Sequence, residues 1–329
     1  MKSRKEKKEY QRDEKIITRN LNDTVRELIE YKAIRKDNEI SNDLLKELVL
    51  KYAATERKLA RLNKELNEKQ NHLEEDLKAA AGIQKSLLPQ NVPTLKDLDI
   101  AWKFVPCEAV GGDILDVFRL DEDHVGFYIM DISGHGVPSA MVTVSVSQMF
   151  QAQESNLTKR KVPTPPFYEL VSPKEVMEAL DQEYPIERFD KFFTIVYLVL
   201  NMSKRCMLYS NAGHPPPILI HEDGSLSLLE QRGTIIGMEG IIPFEEEKIF
   251  FQDGDRLILY TDGITEYQRG EEEFFGDERF YALLKSLKDE PIDQILEGAY
   301  EGLMEFGGHA NVQDDVTLLG IEFKKREPK

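Results

Sequence analysis

The stretch GGDILDVFRLDEDHVGFYIMDISGHG, residues 111–136, decides the architecture. It holds two apolar runs, 115–120 and 124–132, parted only by Asp121-Glu122-Asp123. A turn that short joins antiparallel neighbours, because a parallel crossover needs a dozen or more residues. Asn201-Met202-Ser203-Lys204 repeats the arrangement between runs 192–200 and 205–211. Further strand-like runs at 99–106, 216–221, 246–251, 255–261 and 315–323 are bounded by turn residues. Helical periodicity appears at 138–153, 173–184, 277–287 and 291–306. Hairpins with helices segregated around them predict an α+β domain of antiparallel sheets, not a doubly wound one. The basic, Pro-rich segment Thr158–Pro166 reads as a surface loop, and no internal repeat is visible.

Upstream the texture is different: no Gly or Pro occurs before Gly82. Leu21, Val25, Leu28 and Ile29 predict an amphipathic helix from about residue 10 to 36, with a break at Asp37-Asn38. Ser41 then reads as an N-cap, with Ile40 stapled against Leu45. From there Leu45, Tyr52, Leu59, Leu66, Leu73, Ala80 and Leu87 recur every seven residues. Leu48, Thr55 and Leu62 supply a second stripe, which fails at Lys69 and Asp76. One helix packed on the following domain is one reading. The length of the first stripe favours the other, a parallel coiled coil that makes a homodimer. Its lapses would loosen the coil just before the next domain, where a signal would pass. Leu88-Pro89-Gln90-Asn91-Val92-Pro93 must end the helix. The division is thus 1–80, helical with a coiled-coil linker, and 81–329, a folded domain.

A length of 329 residues fits about two folding units. The formal charge is −17, and it is unevenly placed. Residues 1–80 hold 20 Lys+Arg against 17 Asp+Glu, which leaves 23 against 43 for the rest. Such acidity excludes a nucleic-acid partner, which needs clustered cations for phosphate contacts. It fits a solvated surface or carboxylates gathered around metal ions. Two cysteines, Cys107 and Cys206, cannot staple a chain of this size and suit a reducing compartment. No apolar run reaches membrane-span length, and MKSRKEKKEY is followed by no apolar signal core. A cytoplasmic protein is expected.

Four acidic motifs follow apolar runs or precede them. They are Gly111-Gly112-Asp113-Ile114-Leu115-Asp116, Met130-Asp131-Ile132-Ser133-Gly134-His135-Gly136, Tyr260-Thr261-Asp262-Gly263-Ile264-Thr265-Glu266 and Gln313-Asp314-Asp315-Val316-Thr317. Any one Asp could be a cap or turn residue. Four such motifs in one domain weaken that reading, since converging carboxylates repel unless cations neutralise them.

In this order the motifs resemble the metal-dependent protein phosphatase superfamily (PPM, protein phosphatase 2C-like), in its bacterial SpoIIE/RsbU-type branch. The resemblance covers about 78–325 and includes Ala80-Ala81-Gly82-Ile83-Gln84-Lys85-Ser86-Leu87-Leu88-Pro89 and Asn211-Ala212-Gly213-His214-Pro215-Pro216. It implies a sandwich of two antiparallel sheets flanked by helices, with two Mn²⁺ or Mg²⁺ ions at one edge. Residues 81–329 would be the phosphatase domain. Asp131 would bridge both ions, with the Ile132 carbonyl as a further ligand. Asp113 would serve one ion, and Asp262 and Asp314 the other. Asp116 and Asp315 would support them from behind. The implied reaction is hydrolysis of phosphoserine or phosphothreonine by a metal-bridging hydroxide. The implied substrate is a phosphorylated signalling protein such as an anti-sigma-factor antagonist. No sensor-like pattern precedes the coil, so a regulatory protein acting on the N-terminal helices, or dimerisation itself, would supply the input.

Other candidates stay open at this stage. His135 would be either a general acid for the leaving oxygen or a structural hydrogen-bonding residue. His214 reads as structural. Arg119 and Lys103 are candidates for the substrate phosphate, with nothing to select between them. A cysteine phosphatase needs Arg six residues after its nucleophile, where Asp113 and Ala212 stand instead. Ile114-Leu115 occupies the place where aromatics often follow GGD in this branch, and a nucleotide-cyclase signature would need Glu-Phe there. The alternative of another class is a coiled-coil scaffold whose phosphatase-like domain only binds phosphoproteins.

Overall fold

The computed structural model describes residues 39–90, 95, 97–152, 156–231, 233–270 and 273–325. The expected helix at 10–36 and its break lie outside them. The chain divides into two units between Glu75 and Asp76. The elements, in chain order, are α1 (Glu39–Leu87), β1 (Leu98–Val105), β2 (Ile114–Arg119), β3 (His124–Ile132) and α2 (Val137–Gln151). Then come β4 (Lys159–Lys161), β5 (Tyr168–Leu170), α3 (Pro173–Glu183), α4 (Ile186–Phe189), β6 (Phe193–Asn201), β7 (Cys206–Ala212), β8 (Ile218–Ile220) and β9 (Leu226–Leu228). The chain continues through β10 (Glu247–Phe250), β11 (Arg256–Tyr260), α5 (Asp262–Thr265), β12 (Gln268–Arg269), β13 (Glu273–Phe274), α6 (Gly276–Ser286), α7 (Ile292–Phe306) and β14 (Val316–Phe323).

Each expected strand run and each helical period of the second domain is present within about two residues. Two expectations need correction. Ser41 lies inside α1, which is already helical at Glu39, so its backbone is helical and it is not the N-cap. Part of the segment at 158–166 is not loop: Lys159–Lys161 pairs antiparallel with Tyr168–Leu170. Arg160 on that hairpin reaches Glu169 and Glu175, which draws a basic run into cross-strand pairing.

In α1 the heptad residues Tyr52, Leu59, Leu66 and Leu73 are more than half exposed, as are Leu48 and Leu62 of the second stripe. Among the described residues, the helix therefore carries an exposed apolar stripe over this span.

The second unit holds two five-stranded antiparallel sheets, ordered β1-β14-β11-β8-β9 and β10-β7-β6-β3-β2. Strand periodicity assigns their faces. Leu257 and Leu259 of β11, with Leu319, Ile321 and Phe323 of β14, join Leu115, Val117 and Phe127 in one core between the sheets. Ile258, Tyr260 and Leu318 point the other way and meet Phe280 and Leu284 of α6 and Ile295, Leu296 and Leu303 of α7. On the far side, Val142, Val146 and Phe150 of α2 and Val176, Met177 and Leu180 of α3 cover the second sheet. β3 is largely enclosed, with Val125 to Met130 buried. Truncating Phe127 to Ala would cost about 3–5 kcal/mol, as for other buried aromatic residues.

α3 begins in a capping box, Ser172 with Glu175, with Pro173 in its first turn. Its buried Asp181 accepts N–H groups from Gly237, Met238 and Gly240 at 2.7, 2.9 and 2.5 Å. That carboxylate fixes the loop before Ile241.

Candidate metal centre

Strand direction brings the acidic motifs together. β2 and β3 pair with Ile114 opposite Met130, so Asp113 lies beside the Asp131 end of its neighbour. In the facing sheet β11 and β14 pair with Tyr260 opposite Leu318, so the chain leaves β11 at Asp262 next to where Asp314-Asp315 enters β14. Four strand ends from two sheets therefore meet at one edge of the sandwich.

The Asp113 carboxylate is buried and anchored. Its Oδ2 accepts the hydroxyls of Thr261 at 2.8 Å and Thr317 at 2.5 Å, one from each strand end opposite. Burial first, then the charges of Asp131 and Asp315, push its pKa well up. Asp131 is pushed up to about 7 by burial and by the charges of Asp262 and Asp314. Asp262 rises to about 6 through burial, Glu266 and Asp314. Asp314, at the exposed rim, is raised chiefly by burial of its carboxyl. These are mutually repelling oxygens held in place by the fold, and repulsion of that kind is relieved by a bound cation. Hard carboxylate oxygens suit Mg²⁺ or Mn²⁺. The Ile132 carbonyl oxygen borders the same loop, 2.7 Å from where a Cβ on Gly112 would stand.

Asp315 has a different task. Its Oδ1 accepts the Cys107 N–H at 2.8 Å, and its Oδ2 accepts those of Gly112 at 2.6 Å and Asp113 at 3.2 Å. A Cβ on Gly111 would stand 2.2 Å from that Oδ2, so the loop closes on Asp315 only with glycine there. Asp116 does not join the group. Three residues along β2 it faces outward, where its Oδ1 accepts the Val117 N–H and its Oδ2 the Gln151 amide of α2. Period-2 alternation separates it from Asp113.

Other polar residues sort themselves by their partners. His135 pairs with Glu108 at 2.9 Å, its side chain 65 % exposed. His214 is buried, shares a hydrogen bond with Thr194 Oγ1 through Nδ1, and is pushed down to about 3 by burial, which makes it a neutral packing residue. Lys103 pairs with Glu297 and lies over the Tyr300 ring. Arg119 donates to the carbonyls of Asp121 and Glu122 at the other end of β2. Neither cation borders the acidic edge. Lys191 does: its Nζ donates to the Ser133 carbonyl at 2.8 Å.

Sequence reasoning gave Thr261 and Thr317 no role and weighed Cys107 only as a nucleophile. The Cys107 sulfur, Asp314 and Asp315 place ligand atoms within 4.8 Å of one another. Burial, then Asp315, push the Cys107 thiol up to about 12, so it is a protonated thiol, and the Asp315 oxygens already accept three N–H groups. That trio is a poor match for a hard cation. The two threonines carried a signal of position only, each standing at a strand end beside a motif Asp.

Two antiparallel sheets packed face to face between helices, with carboxylates gathered at one edge, define a protein phosphatase 2C-like α+β fold. The SiaA-PP2C domain of Pseudomonas aeruginosa shares it, with a TM-score of 0.63 at 23 % identity over 78 % of this chain and 98 % of that one. The model of the Stage II sporulation protein E (SpoIIE) family matches residues 121–324, and the chain belongs to that family. Among its relatives are phosphoserine phosphatase RsbP of Bacillus subtilis, 27 % identical over 255 residues, and phosphoserine phosphatase RsbU of the same organism, 25 % identical over 258. The matches take in 76 % and 78 % of this chain. They span 58 % of RsbP and 72 % of RsbU. The expected branch and sandwich are both borne out. None of the described helices is long and apolar enough to cross a membrane.

Proposed function

We propose that this protein is a Mn²⁺- or Mg²⁺-dependent serine/threonine protein phosphatase of the cytoplasm, with residues 81–329 as its catalytic domain. The observation that carries this is the meeting of Asp113, Asp131, Asp262 and Asp314 at one sandwich edge, with their carboxyl pKa values raised by burial and mutual charge. Asp131 stands among the other carboxylates and is the candidate to serve two ions, with the Ile132 carbonyl beside it. Bound there, the ions would lower the pKa of a water and neutralise charge on the phosphoryl group. Thr261 and Thr317 hold one Asp113 oxygen, Oδ2, which leaves Oδ1 as the candidate ligand atom. Lys191 is our candidate for the substrate phosphate, since its ammonium has two donors beyond the bond to Ser133. His135 stands at the rim, where its Nδ1 pairs with Glu108 and its Nε2 could serve a leaving serine oxygen.

Family membership supports the substrate class: a phosphoserine or phosphothreonine on a signalling protein such as an anti-sigma-factor antagonist. The test is Mn²⁺-dependent release of phosphate from a phosphoserine protein by the full chain, with EDTA abolishing turnover and Mn²⁺ restoring it. Undiminished turnover in EDTA would sink the proposal.

The exposed heptad stripe of α1 supports a homodimeric coiled coil as the regulatory segment, open to a partner protein. Removing residues 1–78 is expected to give a monomer with altered basal activity. Light scattering checks this, and an unchanged mass per particle would refute the dimer.

A further inference from the structure

Five apolar side chains stand uncovered on segments that meet beside the metal edge. Val137 and Met141 of α2, Phe192 before β6, and Ile241 and Ile242 before β10 are between 39 % and 74 % exposed. Exposed apolar residues scattered singly are ordinary, whereas a group gathered in one place marks a surface of contact. Ser133, just after the Asp131-Ile132 pair, ties the segments together. Its N–H donates to the Phe192 carbonyl at 2.9 Å, and the Phe192 N–H donates to its Oγ at 3.2 Å. Its carbonyl accepts the hydroxyl of Ser139, in the first turn of α2, at 3.1 Å. The third segment starts where Ile236 and Phe193 exchange backbone hydrogen bonds of 2.9 and 3.2 Å. A Cβ on the next residue, Gly237, would stand 3.5 Å from the Lys191 carbonyl.

Two features set these segments apart from ordinary surface. α2 is fifteen residues long and contains no Asp, Glu, Lys or Arg. Its inward side accounts for Val142, Val146 and Phe150, but Val137 and Met141 point outward. The solvent side of a surface helix is normally charged, and loss of charge with gain of Met and aromatic residues is the mark of an interface core. The loop before β10 is held at its base by the buried Asp181, whose two oxygens accept three N–H groups. Charge-assisted bonds of that kind are strong and fix the backbone. What this anchored loop presents to solvent is a pair of isoleucines.

We propose that these five side chains are the docking surface for the substrate protein, taking apolar side chains that flank its phosphoserine. Place fixes the occupant: the surface continues from the metal edge through Ser133, and Lys191 lies between its segments. Successive residues advance only about 3.5 Å, so the neighbours of a phosphoserine at the ions fall on this surface. Apolar neighbours lose water there. Acidic ones meet a domain with 43 Asp+Glu against 23 Lys+Arg and are repelled. The assignment rests on the phosphatase reading above and adds what that site accepts besides phosphate.

The experiment uses the full chain with Mn²⁺ and two phosphoserine peptides, one with leucine at the two positions on each side and one with glutamine there. The readout is the ratio of kcat/KM between the peptides, which cancels any general loss of activity. The variants are Met141→Gln and the double change Ile241→Gln, Ile242→Gln. Phe250→Gln is the reference, since Phe250 is as exposed but pairs with Cys206 at the far end of its sheet. The parent is expected to prefer the leucine peptide about tenfold, as part-covered leucines would give. The double variant should bring the ratio close to one, Met141→Gln should lower it about threefold, and Phe250→Gln should keep it. A parent ratio within about twofold of one overturns the assignment, as does a full ratio in both surface variants. A particle mass that falls in those variants by light scattering while the ratio holds makes the surface a contact between two copies, and also overturns it. p-Nitrophenyl phosphate separates the two failures. If the parent turns over neither it nor the peptides, the phosphatase reading falls; if it turns over all three without preference, only the docking surface does.

Discussion

β2 has an Asp-bearing loop at each end, and the two ends behave in opposite ways. At the hairpin end, Asp121 Oδ1 accepts from the N–H groups of Asp123 and His124 and meets the His124 ring at 2.8 Å. Partial burial alone would raise its pKa, but the His124 ring and the backbone donors outweigh that and hold it below the usual value. At the other end, Asp113 and Asp131 are raised by burial and by carboxylate neighbours. Both ends carry Asp in a tight turn. What separates them is whether local donors satisfy the charge or other carboxylates crowd it. An Asp whose oxygens are already spent shapes a turn; one left among its own kind awaits a cation.

Exchanging Asp for Asn at each end is the strongest way to break the contrast. Asp131→Asn is expected to cut phosphoserine turnover by about 10³-fold or more, since it removes a ligand on which the whole site depends. Asp121→Asn should leave turnover within about twofold, as a surface turn does. Steady-state assays at saturating Mn²⁺ check both, and equal losses would erase the distinction.

Stability against pH should show the same opposition with smaller effects. Asp131 and Asp262 titrate above their ordinary value of 3.8, near 7 and 6. They favour the fold fully below about pH 4, and that contribution is lost as pH rises through about 6 to 7. Chelated protein should therefore melt several degrees lower at pH 8 than at pH 5, by scanning fluorimetry (about 2–4 °C per kcal/mol at this size). Mn²⁺ should remove the fall, and Asp131→Asn should flatten it. Asp121 runs the other way: its lowered pKa gives stability above about pH 4 that is lost on acidification.

The mildest test concerns cations. Lys191→Ala is expected to raise KM about tenfold, the worth of one charge-assisted hydrogen bond. Arg119→Ala, at the hairpin end, should leave KM unchanged. A reversal of that pair would move the phosphate to the wrong end of the sandwich.

The strands and helices were legible because apolar runs and short polar turns are local signals. Lys159–Lys161 was missed as a strand because its pairing is stabilised by ionic partners rather than by an apolar face. The motif carboxylates were legible as a group, but adjacency in sequence concealed their division of labour. Asp314 and Asp315 are neighbours, yet only the second is committed to three backbone N–H groups. Asp116 shares a motif with Asp113 and lies on the opposite face. Asp181, in no motif, is buried on three amides. The two threonines act through contacts between residues far apart in the chain, which composition and periodicity do not report.

Asp315 also limits how this chain can vary. Its side chain occupies the place of a Cβ on Gly111, and its carbonyl lies 2.0 Å from where a Cβ on Gly263 would stand. An alanine at either glycine collides with Asp315, and a smaller residue at 315 strands three N–H groups at once. Single steps away from this trio all lose, and compensation would need changes at positions more than fifty residues apart in the chain. In a library randomised across the domain, these three positions should be recovered as one inherited unit, while the Asp121 turn drifts freely.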